Sequence, residues 1–376
     1  MSQIEGLIAQ GHEVSVLAEN LSSDIELITS PEILQVAQRA VFLQPKSAWF
    51  SAFLQKLPYR VRQKRRQLAE RKAYKNNDVV VCNFGWMGIE AANQMKDMPQ
   101  RAKLVTIFHG ADMSSFLKGR DDSPYADLFA IGDSFLPISQ FWKSKLLELG
   151  APEEKTSIHR MGVFTDEFSF SSREKSSDNP FNFITVGRLT EKKGVEYTIR
   201  AAAALKQMLD KPNFQVTIIG DGPLKTELKI LCHDLGMDAE ISFKGALPHE
   251  QVAKHLQKAD AFLLPSVTAQ NGDMEGIPVA LMEAMASGLP VISTRHSGIP
   301  ELVIHDNTGL LADERDPQGL AQAMHQTLTD HTNRETLASS ARKHVETEFN
   351  NALWNQKLSD LCLQIANQSP VTGDKQ

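Results

Sequence analysis

The chain has 376 residues, of which 41% are hydrophobic and 23% are charged, and its formal net charge at pH 7 is -6. This composition suffices for two globular domains of ordinary size, and the small negative charge gives no reason to expect a nucleic-acid partner. Three widely spaced cysteines exclude a metal-type pair spacing, and no apolar run approaches the roughly 18 residues of a membrane-spanning helix, so we expect a cytoplasmic protein.

Strands and helices alternate along the N-terminal half, which is typical of a parallel α/β sheet. An amphipathic helix opens the chain, and strands are predicted at EVSVLAE (13–19), DVVVCNF (78–84), KLVTIFH (103–109) and SFLPIS (134–139). A doubly wound domain normally begins with a central strand and a turn before its first helix, and neither precedes this helix. We therefore expect the N-terminal domain to lack its first strand, through a truncated or wrongly assigned start.

The stretch KLPYRVRQKRRQLAERKAYK (56–75) carries nine lysines and arginines against the single acid Glu70. After its proline it is predicted to be a helix. Its basic side chains fit a solvated surface, a contact with an anionic membrane, or a phosphate-rich substrate. The residues alone leave these three interpretations open.

The C-terminal half repeats the alternation after a linker rich in serine and charge (168–180). Strands are predicted at FNFITVG (181–187), FQVTIIG (214–220), ISFKG (241–245), AFLLPS (261–266) and PVIST (290–294). The fold class is therefore α/β, with two doubly wound domains and a cleft at the carboxyl ends of their strands. We expect an N-terminal domain over 1–167, a C-terminal domain over 181–345, and, over 346–376, a helix that returns to the N-terminal domain before a disordered tail.

The loop after the first strand of the C-terminal half has the residues of a diphosphate site. In VGRLTEKKG (186–194), Arg188 and Lys193 follow a strand end and precede a helix N-terminus, where cations and free N–H groups suit phosphate. Gly187 would allow a close backbone approach to the ligand. The alternative is a solvated, charged turn.

The segment GDMEGIPVALMEAMASGLP (272–290) combines an anion site with a carboxylate that is costly to bury. It predicts a short, almost wholly apolar helix over about 278–287, with free N–H groups at its start beside Glu275. Glu283, inside this helix, needs hydroxyl donors such as a ribose diol, or a buried partner such as Arg188 or Arg295. The other residues expected around a nucleotide here are Gly276, Ile277, Pro278 and Val279.

Two further segments are weaker indications. In TIFHGADM (106–113), a strand delivers His109 to its carboxyl end, where the imidazole could contact a group bound in the cleft. A lone histidine in such a position is also common as a structural residue. The turn GDGP (220–223) is of a kind that any α/β protein makes.

Together these segments resemble the retaining glycosyltransferases with the GT-B fold, in the large family 4, or group 1. Glu275 and Glu283, with seven residues between them, match the family signature, and VGRLTEKKG, GDGP and FHGAD match in order and approximate spacing. The resemblance covers residues from about 100 to 345. The segment 272–303 is further similar to the colanic-acid and amylovoran glycosyltransferases of exopolysaccharide assembly.

This resemblance implies a role for each matching residue. Arg188 and Lys193 would hold the donor diphosphate and stabilise it as it leaves, and Glu283 would accept hydrogen bonds from the ribose. Glu275 would lie beside the donor sugar with the backbone of 276–279 around it. His109 would reach the sugar near its 6-hydroxyl.

The resemblance also implies the substrates of the enzyme. The donor would be a UDP- or GDP-sugar, the acceptor a glycan or lipid-linked sugar, and the enzyme would need no metal or other cofactor. It would work in the cytoplasm, with peripheral membrane contact through 56–75 and no nucleic acid.

Two other functions stay open at this point, a sugar-nucleotide epimerase of the same fold and a truncated, inactive protein that binds nucleotide sugars. A dinucleotide dehydrogenase is disfavoured because no G-x-G-x-x-G follows a strand.

Overall fold

The computed structural model of the chain describes residues 2–18, 41–42, 59–120, 123–170 and 179–368. The helices of these residues, labelled α1–α13 in chain order, are Ser2–Ala9, Tyr59–Asn76, Gly85–Met95, Ala126–Ile131, Gln140–Glu148, Val195–Met208, Lys225–Asp234, His249–Lys258, Val279–Ala286, Ile299–Leu302, Pro317–Thr329, His331–Glu348 and Asn351–Ala366. The strands, labelled β1–β11, are Leu17–Ala18, Val41–Phe42, Val79–Cys82, Lys103–Phe108, Ser134–Pro137, Phe181–Val186, Phe214–Ile219, Ile241–Gly245, Ala261–Leu264, Val291–Thr294 and Leu310–Ala312.

The C-terminal half contains a six-stranded, wholly parallel sheet in the order β11-β10-β9-β6-β7-β8. Consecutive residues such as Phe183 and Ile184 belong to different buried clusters, because side chains alternate across the sheet and helices cover both faces. The strand order reverses between β6 and β9. In a doubly wound sheet this switch point opens a crevice at the carboxyl ends of the two strands, so the loops after β6 and β9 are placed to bind a ligand.

The N-terminal half contains the parallel sheet β3-β4-β5 and, separately, the short parallel pair β1-β2. The two domains of parallel α/β type predicted from the sequence are confirmed. Most of the predicted linker, and residues 19–40 and 43–58, lie outside the described residues. The absence of a first strand and the domain boundaries therefore stay predictions.

The last helix, α13, packs on the N-terminal domain although it follows the C-terminal one. It contacts α1 and β3, and Leu358, Cys362 and Ile365 are buried in the same apolar cluster as the strands of the N-terminal sheet. The chain thus crosses between the domains twice.

One carboxylate also joins the domains directly. Glu301 of α10 accepts hydrogen bonds from the backbone N–H groups of Gln140 and Phe141, both at 3.0 Å, at the N-terminus of α5 in the other domain. Arg160 lies 2.9 Å from the same carboxylate. A negative group at a helix N-terminus is favoured by the helix dipole and by the free N–H groups there.

Most predicted elements occur where the sequence placed them, with their ends trimmed by one or two residues. The strands β2 and β11 were missed, because two and three apolar residues are too few to show an alternating pattern, and of the strand predicted over 13–19 only Leu17–Ala18 is observed among the described residues. The predicted helix over 278–287 is α9, which begins at Val279 with Pro278 as the preceding cap. Its first residue, Val279, is 37% exposed, so the helix is not buried on every side as predicted.

Gly194 is expected to be a position where alanine is severely destabilising. It has φ +64, and a Cβ there would lie 1.8 Å from the carbonyl oxygen of Pro265, which belongs to the backbone and cannot turn aside. Gly236 has nearly the same φ, +63, with nothing within 4 Å of its Cβ position. Gly236→Ala should therefore cost about 1–2 kcal/mol of unfolding free energy, from backbone strain alone, and Gly194→Ala several-fold more. Urea unfolding of both variants measures the difference, and equal losses would contradict the clash.

Candidate functional site

The loop after β6 carries the predicted cations. Arg188 is exposed, and Lys193 lies in the short 3-10 turn Glu191–Lys193 that leads through Gly194 into α6. The Gly220–Pro223 turn after β7 packs against this loop, because a Cβ at Gly220 would meet the carbonyl oxygen of Gly187 at 1.8 Å. The GDGP turn therefore has a structural role, because it supports the loop after β6.

Gly187 itself has room around it within the protein. The nearest atoms to a Cβ built there belong to the Lys193 side chain, at 3.6 Å, which is an ordinary contact. Protein packing therefore does not require glycine at 187. Close approach of a ligand stays a prediction for this residue.

The loop after β9 brings Glu275 to the same place. Lys193 Nζ lies 2.9 Å from Glu275 Oε1, and the exposed fractions of the two side chains are 17% and 8%. At this distance the two are ion-paired, although the contact lacks the alignment of a full hydrogen bond. Two residues 82 positions apart thus meet at the switch point of the sheet.

The backbone between Glu275 and α9 is free to bind a ligand. Within the described residues, the N–H groups of Gly276, Ile277 and Val279 donate no hydrogen bond. Gly276 is also needed for packing, because a Cβ there would lie 2.4 Å from Ile138 Cδ1 of the N-terminal domain. The start of α9 therefore has backbone donors without partners among the described residues, at the place where the two domains meet.

Glu283 of α9 is half-buried, with 17% of its side chain exposed. Burial raises the pKa of its carboxyl, and the neighbouring His249 partly offsets this effect. His249 Nε2 lies 3.4 Å away, a long contact. Neither Arg188 nor Arg295 pairs with Glu283 in the described part of the chain, and Arg295 instead lies 3.6 Å from Asp313. The alternative of a buried pair between Glu283 and one of these arginines is therefore wrong.

His109 reaches the cleft from the N-terminal domain. Its ring packs against Phe84, with centroids 4.6 Å apart, and its Nε2 is buried with no hydrogen-bond partner among the described residues. The following Gly110 touches the opposite loop, since a Cβ there would lie 2.8 Å from the backbone nitrogen of Gly276. His109 and the start of α9 thus belong to the same cleft.

Asp112 fixes His109, a role that the sequence did not reveal. Its carboxylate accepts hydrogen bonds from the backbone N–H of Gly85 at 2.8 Å and of His109 at 3.0 Å, so it joins the loops after β3 and β4. Burial raises the pKa of this carboxyl to about 6, and the two hydrogen bonds act against that rise. In the sequence, only the position of Asp112, three residues after His109, indicated that the two residues are connected.

Burial lowers the pKa of His109 to about 4, so the imidazole is neutral at pH 7. His159, which is 4% exposed, also has its pKa lowered to about 4, mainly by burial and further by the charge of His109. A neutral imidazole can donate one hydrogen bond and accept another.

These pKa values predict that the protein loses stability in mild acid. Below pH 6.5 His109 and His159 are protonated in the unfolded chain but stay neutral in the folded protein, because burial lowers their pKa. Both histidines therefore lower the free energy of unfolding as the pH falls from 6.5 to 4. Asp112 acts oppositely, because the folded state keeps its proton up to about pH 6. The carboxyl of Glu283, whose pKa burial also raises, acts in the same direction as Asp112. The two histidines outweigh these carboxyls, so we expect a net loss of stability as the pH falls. The free energy of unfolding, measured with urea across this pH range, should fall by about 2 kcal/mol less in His159→Gln than in the wild type. Identical profiles would contradict it.

The described residues contain no group of three or more histidine, cysteine, aspartate or glutamate side chains that could hold a metal ion. Independence of metals stays a prediction. Among the same residues, no helix has the length and apolar character needed to cross a membrane.

Two family models together match residues 1–344 of the chain. Residues 1–167 match the model described as glycosyltransferase family 4, and residues 166–344 match the model described as glycosyl transferases group 1. The second match contains Arg188, Lys193, Glu275 and Glu283.

Relatives and solved structures agree with these matches. The amylovoran biosynthesis glycosyltransferase AmsK of Erwinia amylovora is 40% identical over 291 residues, which cover 77% of this chain and 70% of the relative. The putative colanic acid biosynthesis glycosyltransferase WcaL of Escherichia coli K12 is 43% identical, over 76% of this chain and 70% of the relative.

Among solved structures, sucrose-phosphate synthase from Thermosynechococcus elongatus superposes with a TM-score of 0.75 at 21% identity, over 96% of this chain and 91% of that one. Anabaena Alr3699/HepE in complex with UDP-glucose superposes with a TM-score of 0.71 at 18% identity, over 94% and 100%. At such identities the structures show the fold, which is the two-domain GT-B arrangement. Together with the family models and the relatives, they show that this chain belongs to the group 1, or family 4, glycosyltransferases.

Proposed function

We propose that the protein transfers a sugar from a UDP- or GDP-sugar to a hydroxyl of a lipid-linked exopolysaccharide intermediate, with retention of the anomeric configuration. The observation that carries the proposal is the meeting of Lys193 and Glu275 at 2.9 Å, beside the free N–H groups at the start of α9. The names of AmsK and WcaL, which refer to amylovoran and colanic acid biosynthesis, support the exopolysaccharide. Alr3699/HepE was solved with UDP-glucose, which supports a sugar nucleotide.

Binding of the donor would use the positive side of this cleft. The ammonium of Lys193 has three N–H donors, and its contact with Glu275 leaves the others for a diphosphate. Arg188 is exposed on the same loop and would add a second cation. Glu283 would accept hydrogen bonds from the ribose hydroxyls, which would supply the partners that a half-buried carboxylate needs.

The reaction breaks the bond between the anomeric carbon and the diphosphate and forms a bond to the acceptor oxygen, whose proton would pass to the leaving diphosphate. Negative charge grows on the leaving diphosphate. Arg188, Lys193 and the free backbone N–H groups at the start of α9 would stabilise it there. Positive charge grows on the sugar, beside the carboxylate of Glu275. Neutral His109 would hold a sugar hydroxyl through its buried Nε2. We further propose that no metal is needed, since these cations would take its place.

A screen of UDP- and GDP-sugars by thermal shift tests donor binding, because a ligand that binds the folded state raises the melting temperature. The sugar that binds is then incubated with acceptor glycans, and NMR of the product gives its anomeric configuration. Transfer with inversion, or no transfer with any donor, would refute the proposal.

The same assay decides between the proposal and its two alternatives. A sugar-nucleotide epimerase would convert the donor without an acceptor, and a non-catalytic binding protein would raise the melting temperature without turnover. A glycosyltransferase needs both substrates for its product.

We also propose that α2 lets the protein rest on an anionic membrane. Its exposed side chains Lys64, Leu68, Arg71 and Lys75 follow one another at steps of four, three and four residues, so they share one face of the helix. Leu68 is 64% exposed, which is unusual for leucine and suits contact with the acyl boundary. Another face of the helix is buried through Glu70 and Tyr74. Residues 56–58 of the predicted basic stretch lie outside the described residues.

Removing the charge of this face is expected to abolish sedimentation with vesicles. The triple variant Lys64→Ala, Arg71→Ala, Lys75→Ala should lose binding to vesicles that contain 30 mol% phosphatidylserine, at about 1 kcal/mol for each base. Wild-type protein should not bind pure phosphatidylcholine vesicles. A triple variant that removes Lys206, Lys254 and Lys258 from the other domain is the control for net charge. Equal binding of both variants would contradict the proposal.

A further inference from the structure

We propose that His296 is a positioning residue that holds Glu275 and the start of α9 in place for the donor sugar. This inference rests on the proposed function, because Glu275 matters only if the cleft binds a sugar nucleotide. His296 follows β10, its side chain is fully buried, and no part of it reaches the cleft. It can therefore act only through the residues that it contacts.

The first contact is with Glu275 itself. The backbone N–H of Glu275 donates a hydrogen bond to His296 Nε2 at 3.0 Å. The next residue, Ser297, donates from its hydroxyl to the carbonyl oxygen of Glu275 at 2.7 Å. Two consecutive residues thus hold both polar backbone groups of Glu275, which fixes the peptide on each side of its carboxylate.

The second contact fixes the tautomer of His296. A backbone N–H can only donate, so Nε2 must be the unprotonated nitrogen and the proton lies on Nδ1. That proton is donated to Glu314 Oε1, with 2.6 Å between the two heavy atoms. Glu314 therefore orients the imidazole with its accepting nitrogen towards Glu275.

The third contact ties the network to the beginning of the same loop. Glu314 Oε2 accepts a hydrogen bond from the backbone N–H of Thr268 at 2.8 Å, and Arg315 donates to the carbonyl oxygen of Thr268. The loop between β9 and α9 is thus held near both of its ends by residues that follow β10 and β11. Ser297 and Arg315 have φ of +50 and +59, a costly conformation for residues other than glycine.

A buried histidine that merely fills space would not need this arrangement. Phenylalanine would occupy a similar volume with no polar group to satisfy. The hydrogen bonds instead run from Glu314 through His296 to the one peptide that carries Glu275, whose carboxylate meets Lys193. A small displacement of that peptide would move the carboxylate together with the N–H groups of Gly276, Ile277 and Val279.

Two variants separate the two hydrogen bonds of His296. His296→Gln places an amide oxygen near the position of Nε2, so it keeps an acceptor for Glu275. His296→Asn keeps a donor for Glu314 but leaves the N–H of Glu275 without a partner. We expect His296→Asn to lower kcat by about 10²-fold, with a smaller change in the KM for the donor, while His296→Gln retains most of the turnover. Both should lower the melting temperature by similar amounts.

Ser297→Ala is the variant to use if either substitution prevents folding, because it removes one hydrogen bond to Glu275 without a large cavity. It should lower kcat and leave the KM for the donor nearly unchanged. Similar kcat values for His296→Asn, His296→Gln and the wild type would overturn the inference. So would equal losses of kcat in the two variants, which indicate a packing role.

A spectroscopic measurement keeps the inference separate from the proposed function. Nitrogen-15 NMR of labelled wild-type protein should show the Nδ1–H tautomer at His296, and the Glu275 amide should exchange slowly with solvent and faster in His296→Asn. The Nε2–H tautomer would overturn the inference even if the protein transfers sugar. A wild-type protein with the expected NMR signature but no transfer would instead refute the proposed function.

Discussion

Arg188→Ala is expected to lower kcat for sugar transfer by about 10²- to 10³-fold, the usual effect of removing one preorganised group that stabilises developing charge. The melting temperature without ligand should stay the same. Arg188 is exposed and forms no ion pair within the described part of the chain, so its removal leaves no buried charge behind. Initial rates and thermal unfolding of the same preparations measure the two effects.

Lys254→Ala is the matched control for Arg188→Ala, since it removes one positive charge from a surface pair with Glu250 in the same domain. It should change neither rate nor melting temperature. An equal loss of kcat in the control would mean that general electrostatics, and not the loop after β6, governs the rate. A fall in melting temperature with Arg188→Ala would indicate a structural role.

Lys193→Ala should also lower kcat, but it removes the partner of a carboxylate that is nearly buried. It should therefore lower stability as well, and Lys193→Ala combined with Glu275→Gln should recover stability, since no unpaired charge remains. The double variant should stay inactive. Recovery of both stability and activity would show that the pair has a structural role only.

Glu283→Gln is expected to raise the Kd for the donor nucleotide by about 10- to 100-fold, because hydrogen bonds to a charged acceptor contribute about 1.5–3 kcal/mol. The free protein should be as stable as the wild type at pH 7 or more stable. Burial raises the pKa of the Glu283 carboxyl in the folded protein above its value in the unfolded chain. The protonated carboxyl therefore favours the folded state at low pH, and this contribution to stability is lost as the pH rises above about 4.5. The glutamine in Glu283→Gln has no carboxyl to ionise, so it avoids this loss of stability.

Calorimetric titration with UDP and GDP, together with thermal unfolding, measures both effects of Glu283→Gln. Glu250→Gln is the control, since it lies next to His249 but is fully exposed. Unchanged nucleotide affinity in Glu283→Gln would show that Glu283 does not bind the ribose. A strongly destabilised variant would show instead that the contact with His249 supports the fold.

The repeating elements could be predicted because their signals are local. Strand β6, predicted over 181–187, and helix α9, predicted over about 278–287, lie within one residue of their predicted bounds. The loops that follow the strands could be assigned to the cleft for the same reason, since parallel strands end at the same edge.

Pairings between distant residues could not be predicted in this way. For Glu283 the sequence favoured a ribose and offered an arginine as the alternative, but its actual protein neighbour, His249, precedes it by 34 residues on another helix. The partners of His296 lie 18 and 21 residues away in two different loops. A single histidine after a strand shows no periodicity, so only the packing of three loops reveals what it contacts.

The carboxylate of Glu301 has a consequence for the rate at which products leave. Separation of the two domains must remove it from the N–H groups of Gln140 and Phe141 and from Arg160, so each opening exchanges these contacts for water and dissolved ions. Dissolved ions stabilise these charges once they are separated, and they affect the paired charges much less. Rising ionic strength should therefore speed opening, and a turnover limited by product release would increase with salt although donor binding weakens.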